Sequence, residues 1–186
     1  TPRLNDAELG RLYQDYRGEE YQRQRQKHEK DYSPRLNSIF GYDSLEISSR
    51  KRNLADILRK RTDPSRIKSV LDFGGDRGQF IPDELNNSSR YVYEISGIHP
   101  LDGITLIKSA SELRMKRFDF IMCSHVLEHV PDPLKTLDEI RAACHQKTIV
   151  YFEMPMESPF HIVAWTPKAL IRKLVLSSAG FYNLFF

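Results

Sequence analysis

The chain has 186 residues, of which 40% are hydrophobic and 28% are charged, and its formal net charge is +3. This composition excludes a disordered chain and is typical of a globular protein with one sizeable core. The small net charge gives no support for a nucleic-acid partner, and no apolar run approaches the roughly 18 residues of a membrane span. Two cysteines, Cys123 and Cys144, form no C-x-x-C pair and indicate a reducing, cytoplasmic location.

The N-terminal part is predicted to be a helical cap at residues 1–49, ahead of a main domain at residues 50–186. The stretch RGEEYQRQRQKHEKDY predicts a solvated helix, and its neighbouring tyrosines leave two interpretations open: a peripheral cap, or a lid over a substrate pocket. The stretch SRKRNLADILRKRTDPSRIK predicts a second helix, because apolar residues recur at helical spacing: Leu54, Ile57 and Leu58. Its many basic residues indicate a solvent-exposed helix face. Phosphate binding is the less favoured interpretation.

Short apolar runs then alternate with helical patterns. The predicted strands lie in IKSVLDFGGDRGQF, SRYVYEIS, GITLIKSASEL, RFDFIMCS and KTIVYFEMP, and the predicted helices in DPLKTLDEIRAACHQ and TPKALIRKLVLSSAGF. This alternation indicates an α/β fold with a doubly wound, Rossmann-like and mostly parallel sheet. The final YNLFF begins a sixth strand as the chain ends, so we expect a sheet that is incomplete at the C-terminus.

A glycine cluster follows the first strand in VLDFGGDRG. The phosphate loop G-x-x-x-x-G-K-[ST] is absent, and the dinucleotide fingerprint G-x-G-x-x-G fails because its first glycine would fall on Phe73. Glycine lets a backbone turn tightly and approach a ligand closely. The carboxylate of Asp72, just before the loop, would repel a pyrophosphate but suits a cationic, amine-bearing ligand.

These residues resemble the first motif of the class I S-adenosylmethionine-dependent methyltransferases, an acid followed by G-x-G-x-G. Asp72 takes the acid position, Gly74 and Gly78 take the outer glycine positions, and Asp76 replaces the middle glycine. Aspartate tolerates left-handed backbone better than most residues, so the turn can survive this departure. The resemblance implies S-adenosylmethionine as cofactor, held also by Phe73 and Gly75.

Two further motifs extend the resemblance, which covers about residues 50–186. Glu94 ends the second strand, where a family carboxylate accepts both ribose hydroxyl protons, and Ile95 follows it. The stretch KSASEL resembles the segment that usually carries an aspartate near the adenine. Here Ser109 takes that place, with Ala110 beside it, and a serine hydroxyl is a weaker partner than a carboxylate.

The stretch SHVLEHVPD contains H-x-x-E-H, which is also the inverted zinc-protease signature. A zinc site of that type needs both histidines on one helix face and a third ligand, whereas here the histidines follow directly after a strand and precede two prolines. The same segment resembles V-L-E-H-x-x-D-P of small-molecule methyltransferases. The resemblance places Cys123, Ser124 and His125 near the methionine part of the cofactor and has Glu128 and His129 begin the next helix. We therefore expect no metal.

The predicted reaction is methyl transfer to a small-molecule acceptor, with a sugar or nucleotide-linked sugar as candidates and oxygen as the favoured nucleophile. His125 and His161 are the candidate general bases, because a histidine can take a proton near neutral pH. The alternative is a catalytically degenerate methyltransferase fold that serves as a binding or regulatory module. A nucleic-acid methyltransferase lacks support, because no N-P-P-Y-like motif is present. The oligomeric state is not predicted by the sequence.

Overall fold

The fold is described by a computed structural model, which covers residues 5, 7, 8, 10, 18–28, 44–155 and 181–185. Among the described residues, helix α1 spans Glu19–His28 and helix α2 spans Ser44–Arg59, both ahead of the sheet. Helix α3 at Ala110–Arg114 and helix α4 at Pro133–Ala142 lie between strands. The strands are β1 Ser69–Phe73, β2 Ser89–Tyr93, β3 Ile104–Ile107, β4 Phe118–Ser124, β5 Cys144–Pro155 and β6 Phe181–Phe185. The helix predicted in TPKALIRKLVLSSAGF lies outside the described residues.

The strands form one sheet in the order β3-β2-β1-β4-β5-β6. The first five strands pair in parallel, and β6 pairs antiparallel with β5. The order reverses direction at β1, from which the chain winds first toward β3 and then toward β5. The prediction of a doubly wound, mostly parallel α/β sheet is therefore confirmed.

Alternation along the strands divides the core into two layers. Leu71 and Phe152 pack on one face with residues of α3 and α4, such as Leu113 and Ile140. Val70 and Tyr151 pack on the opposite face, in the cluster that includes Leu54 and Leu58 of α2. Successive strand residues point to opposite faces of the sheet. The parity of a residue, meaning its odd or even place along the strand, therefore determines which helices its side chain contacts.

The same parity places polar residues near the carboxyl ends of the strands on the α2 face. Asp72 of β1 alternates with Leu71 and Phe73, which belong to the other face. Ser124 of β4 and Glu153 of β5 share this parity and are direct register partners. The carboxyl edge on the α2 side, where ligands of doubly wound sheets bind, is therefore the place to look for a site.

None of the helices in the described part of the chain has the length and apolar character that a membrane crossing requires.

Candidate functional site

The predicted cofactor residues come together at the carboxyl edge of the sheet. Phe73 pairs with Tyr93, and Tyr93 pairs with Ile107, so β1, β2 and β3 end at one level. Glu94 follows β2 at once, Ser109 follows β3 after one residue, and Ser124 ends β4. The parallel register of the strands brings these residues to one edge, as their places at the ends of predicted strands indicate.

The glycine loop turns through left-handed backbone at three positions, Gly74 (φ 69°), Asp76 (φ 55°) and Gly78 (φ 76°). The expectation that Asp76 adopts this conformation is confirmed. The turn is closed by hydrogen bonds from the Gly74 amide to the Tyr93 carbonyl (2.8 Å) and from the Gly78 amide to the Gly75 carbonyl (2.8 Å). A side chain at Gly75 would overlap the carboxylate of Asp72, so this position accepts only glycine.

Asp72 is the buried acid of the site. It is 2% exposed, and its Oδ2 atom has no hydrogen-bond partner. Burial raises the pKa of Asp72 to about 7, helped by the nearby charges of Glu94, Asp76 and Glu153 and opposed by Arg50. A carboxyl group this poorly solvated gains from a cationic or hydrogen-bond-donating ligand more than an exposed one does.

Glu94 ties the glycine loop to the turn after β2. Its Oε2 accepts a hydrogen bond from the Asp76 amide (3.1 Å), and its Oε1 accepts from the amides of Ile95 and Ser96 (both 2.9 Å). These bonds fix the direction of the carboxylate, while each oxygen has two lone pairs, so Oε2 retains room for a ligand hydroxyl. Ile95 lies beside it and is 56% exposed, an apolar surface open to a flat ligand.

Ser109 also caps a helix. Its hydroxyl accepts from the Glu112 amide (3.1 Å), and Glu112 in turn accepts from the Lys108 amide (3.0 Å). This resembles a capping box, except that Glu112 accepts from the amide of Lys108, one residue before the N-cap Ser109; the S-x-x-E spacing in SASEL is the sequence signal for it. Ala110 opens α3. The roles of Ser109 and Ala110 toward a cofactor stay predictions.

Three other predicted site residues are Phe73, Cys123 and Ser124. The side chains of the first two lie in the core, and that of Ser124 lies at the carboxyl edge of the sheet. Phe73 packs against Tyr93 with ring centroids 5.0 Å apart. Cys123 is 1% exposed in the same core layer, and burial raises the pKa of its thiol, so the sulfur is an inert packing group. The backbone of Phe73 and Cys123 still borders the edge. Ser124 points to the other face, where its buried hydroxyl has no hydrogen-bond partner.

His125 follows β4 in a left-handed conformation with φ 56°, and its amide donates to the Glu153 carbonyl (2.8 Å). A non-glycine residue seldom adopts this backbone, and such strain is concentrated at functional sites. The expectation that Glu128 and His129 begin a helix is wrong. They lie in a turn, and α4 begins at Pro133, because the Asp132 carboxylate caps its first amides.

A charge network that sequence reasoning missed joins α2 to this turn. Arg50 of α2 donates to Glu153 Oε2 (3.1 Å) and stacks over the Phe80 ring at 4.0 Å. Burial opposes ionisation of Glu153, but the neighbouring His125 ring and the Arg50 guanidinium prevail and lower its pKa to about 2. Glu153 is thus a fixed anion. The only signal in the sequence was its place at a strand end, since 103 residues separate it from Arg50.

No group of three histidine, cysteine or acidic side chains in the described part of the chain could hold a metal ion. His161, the other candidate base, lies outside the described residues. The division at residues 49 and 50 also stays a prediction. Helix α2 runs across that position.

The site fits S-adenosylmethionine in two respects. Buried side-chain oxygens without hydrogen-bond partners lie at this edge on Asp72, Ser96, Ser124 and Glu128, so ligand donors are needed there. The edge is also rich in carboxylates, and the cofactor carries an ammonium and a sulfonium. The glycine loop leaves backbone exposed to a ligand that a bulkier loop would exclude.

A family model described as a methyltransferase domain matches residues 21–174. No curated protein matches the sequence.

Three solved structures are similar in fold. StiE O-MT is 17% identical, with 58% of this chain and 44% of that chain covered and a TM-score of 0.45. The plantazolicin methyltransferase BpumL, complexed with a monoazolic desmethylPZN analog and SAH, is 12% identical, with 91% and 68% covered and a TM-score of 0.49. The DhpI-SAH complex is 17% identical, with 82% and 72% covered and a TM-score of 0.46.

The chain spans less than half the length of the StiE structure. The family assignment rests instead on the family model, which covers most of this chain. The chain therefore belongs to the methyltransferase domain family.

Proposed function

We propose that the protein transfers a methyl group from S-adenosylmethionine to an oxygen of a small-molecule acceptor, such as a sugar or a nucleotide-linked sugar. The observation that carries the proposal is the buried carboxyl group of Asp72, which lies beneath the glycine loop with an oxygen that lacks a hydrogen-bond partner. Such a group needs a cationic or donating ligand at the place where the family holds its cofactor.

In this proposal, different residues around the loop bind different parts of the cofactor. Asp72 supplies negative charge for its ammonium, and Glu94 supplies acceptors for its ribose hydroxyls. Ile95 offers an exposed apolar surface for its adenine, with Ser109 and Ala110 next along the edge. When bound, the cofactor supplies an electrophilic methyl group on its sulfonium. The protein's task is then to align the acceptor oxygen, to exclude water and to remove a proton.

The polar atoms on the acceptor side favour a hydroxyl-rich molecule. The Ser124 hydroxyl is buried without a hydrogen-bond partner, and the carboxylates of Glu128 and Glu153 flank His125 at the same edge. An acceptor hydroxyl can donate a hydrogen bond to Ser124, whereas an acceptor acid would meet repulsion from Glu128 and Glu153. An uncharged sugar, or the sugar end of a nucleotide-linked sugar, satisfies these requirements.

His125 is the proposed general base among the described residues. It follows β4 directly, on the edge where the acceptor must meet the methyl group, and carboxylates flank its ring. His161 stays the other candidate. A proton taken from the acceptor hydroxyl makes the oxygen a better nucleophile at neutral pH.

Calorimetry with S-adenosylhomocysteine tests the cofactor site. The parent protein should bind in the micromolar range, and Asp72→Ala and Glu94→Ala should each lose binding. Asp138→Ala is a matched control, because Asp138 is exposed on α4 and pairs only across the surface with Arg141. Absence of binding by the parent protein would overturn the cofactor assignment.

A panel of hydroxyl and amine acceptors with labelled S-adenosylmethionine tests the reaction. Transfer to hydroxyl acceptors supports the proposal, and transfer to amines alone contradicts the preference for oxygen. Binding of the cofactor without transfer to any acceptor would favour the degenerate binding module.

A further inference from the structure

The ring of His125 lies between two carboxylates from different elements. Its Nδ1 atom is 3.3 Å from Glu128 Oε1, in the turn after β4, and its Nε2 atom is 3.8 Å from Glu153 Oε1, on β5. A neutral imidazole carries one proton, so it can donate to only one of them. The carboxylate that takes this proton decides which nitrogen is left to act as the base.

The backbone holds His125 in this position. Its left-handed conformation and the bond from its amide to the Glu153 carbonyl turn the chain at the end of β4. The next residues form a tight turn in which the carbonyl of Val126 accepts from the amides of His129 (2.9 Å) and Val130 (3.2 Å). This turn brings Glu128 back beside the histidine three residues before it.

The two carboxylates differ in what else they bind. Glu153 is engaged by Arg50, whose guanidinium is itself held over Phe80, and the pKa of Glu153 is about 2. Glu128 has both oxygens buried and no hydrogen-bond partner for either. Its other neighbour, His129 Nε2, is farther away at 4.0 Å. Glu128 is therefore the nearer carboxylate, and no other group among the described residues binds its oxygens, whereas Glu153 already accepts from Arg50 at Oε2.

We infer that Glu128 is the positioning residue of His125: it takes the Nδ1 proton, fixes that tautomer, and leaves Nε2 as the proton acceptor. The hydrogen bond made by one ring nitrogen sets the protonation of the other. This inference rests on the proposed function, which supplies the proton. The O–H bond of the acceptor hydroxyl breaks, an N–H bond forms at Nε2, and the electron pair stays on the oxygen that attacks.

Glu153 then has a second role in the same arrangement. Once Nε2 carries a proton, the imidazolium faces the fixed negative charge of Glu153 across 3.8 Å. The charged groups around the ring are thus Glu128 on one side, with His129 behind it, and Glu153 on the other, with Arg50 behind it. In this arrangement one carboxylate orients the histidine ring, and the surrounding charges stabilise the imidazolium that forms.

Long-range ¹H–¹⁵N NMR of the histidine rings reads the tautomer directly, and it needs neither cofactor nor acceptor. His125 is assigned by loss of its signals in His125→Gln. The spectrum of the ¹⁵N-labelled parent protein at alkaline pH should show a neutral His125 with its proton on Nδ1. A neutral His125 with its proton on Nε2 would overturn the inference, because Glu153 would then be the partner.

Two variants at one position and one control complete the test. Glu128→Met removes the acceptor at similar length and should move His125 toward the Nε2–H tautomer that a free imidazole favours. Glu128→Gln keeps an acceptor oxygen and should retain the Nδ1–H form. Glu139→Met, the same change on α4, should leave the His125 signals unaltered. Unchanged His125 signals in a folded Glu128→Met protein would also refute the inference.

The kinetic counterpart separates positioning from general damage. Once an acceptor is found, Glu128→Gln should lower kcat more than tenfold with KM for the acceptor changed less than threefold, and Glu128→Met should lower it further. Equal losses in both variants would contradict the role. The NMR result is independent of S-adenosylhomocysteine calorimetry, so failure of this inference and failure of the proposed function give different outcomes.

Discussion

Asp72→Asn should make the protein more stable at alkaline pH while it weakens cofactor binding at least tenfold. Asp72 is 2% exposed, and its pKa is raised to about 7 from an ordinary value of 3.8. Between these values the folded protein holds a proton that the unfolded chain releases. The free energy of unfolding of the parent protein therefore falls as pH rises through this window and levels off above about pH 7.

The size of the effect follows from the shift. One pKa unit corresponds to 1.36 kcal/mol, so a shift of about three units costs the parent protein about 4 kcal/mol above pH 7. A buried asparagine amide without a partner costs about 1–3 kcal/mol at every pH. That constant cost cancels in the pH dependence. Relative to the parent, the variant should gain about 3 kcal/mol between pH 5 and pH 8.

Urea unfolding at pH 5, 6, 7, 8 and 9 measures this difference, with Asp138→Asn as the exposed control that should show none of it. A gain of about 3 kcal/mol corresponds to roughly 6–12 °C in the thermal midpoint of a chain of this size. The same Asp72→Asn protein should bind S-adenosylmethionine at least tenfold more weakly. A stability difference that stays constant from pH 5 to pH 9 would refute the reasoning from burial.

Three further predictions follow from the loop and from the charge network. Gly75→Ala should abolish S-adenosylhomocysteine binding in calorimetry and lower stability by at least about 1–3 kcal/mol, because its Cβ meets a carboxylate. Gly97→Ala, with φ +75° and open space, should cost only about 1–2 kcal/mol and serves as the control. Glu153→Gln should cost about 3 kcal/mol at pH 7, because the pKa of Glu153 is about 2 rather than 4.5. In urea unfolding, that cost should shrink as pH falls from 4.5 toward 2, where the parent loses the charge and its bond to Arg50. Asp76→Gly should relieve left-handed strain and raise the thermal midpoint, whereas Asp76→Ala should lower it; the reverse order would contradict the backbone argument.

The sheet and the cofactor loop could be predicted because their signals are local. Buried parallel strands appear as short apolar runs, and a loop that must turn left-handed needs glycine or a tolerant residue such as Asp76. The start of α4 differs from the prediction, because the family resemblance had Glu128 and His129 begin that helix. The Asp132 cap and Pro133 at the first helical position delay the helix to Pro133.

The pairing of Arg50 with Glu153 could not be predicted in the same way. It joins residues 103 positions apart and depends on how α2 packs across the sheet, which no spacing rule encodes. The left-handed backbone of His125 was equally hidden, because histidine seldom adopts it and only the bond to the Glu153 carbonyl explains it here. Both features emerge only when the register of β4 and β5 is known.

The carboxyl edge of the sheet buries charged groups in a way that destabilises the fold. The same groups suit a cationic ligand. Asp72 is held in a pocket that opposes its charge, Glu128 and Glu153 flank His125, and Arg50 is the cation that pairs with Glu153. A protein core does better with apolar groups in such positions, so the arrangement makes sense only if a ligand completes it. A cofactor with an ammonium and a sulfonium brings the missing positive charge.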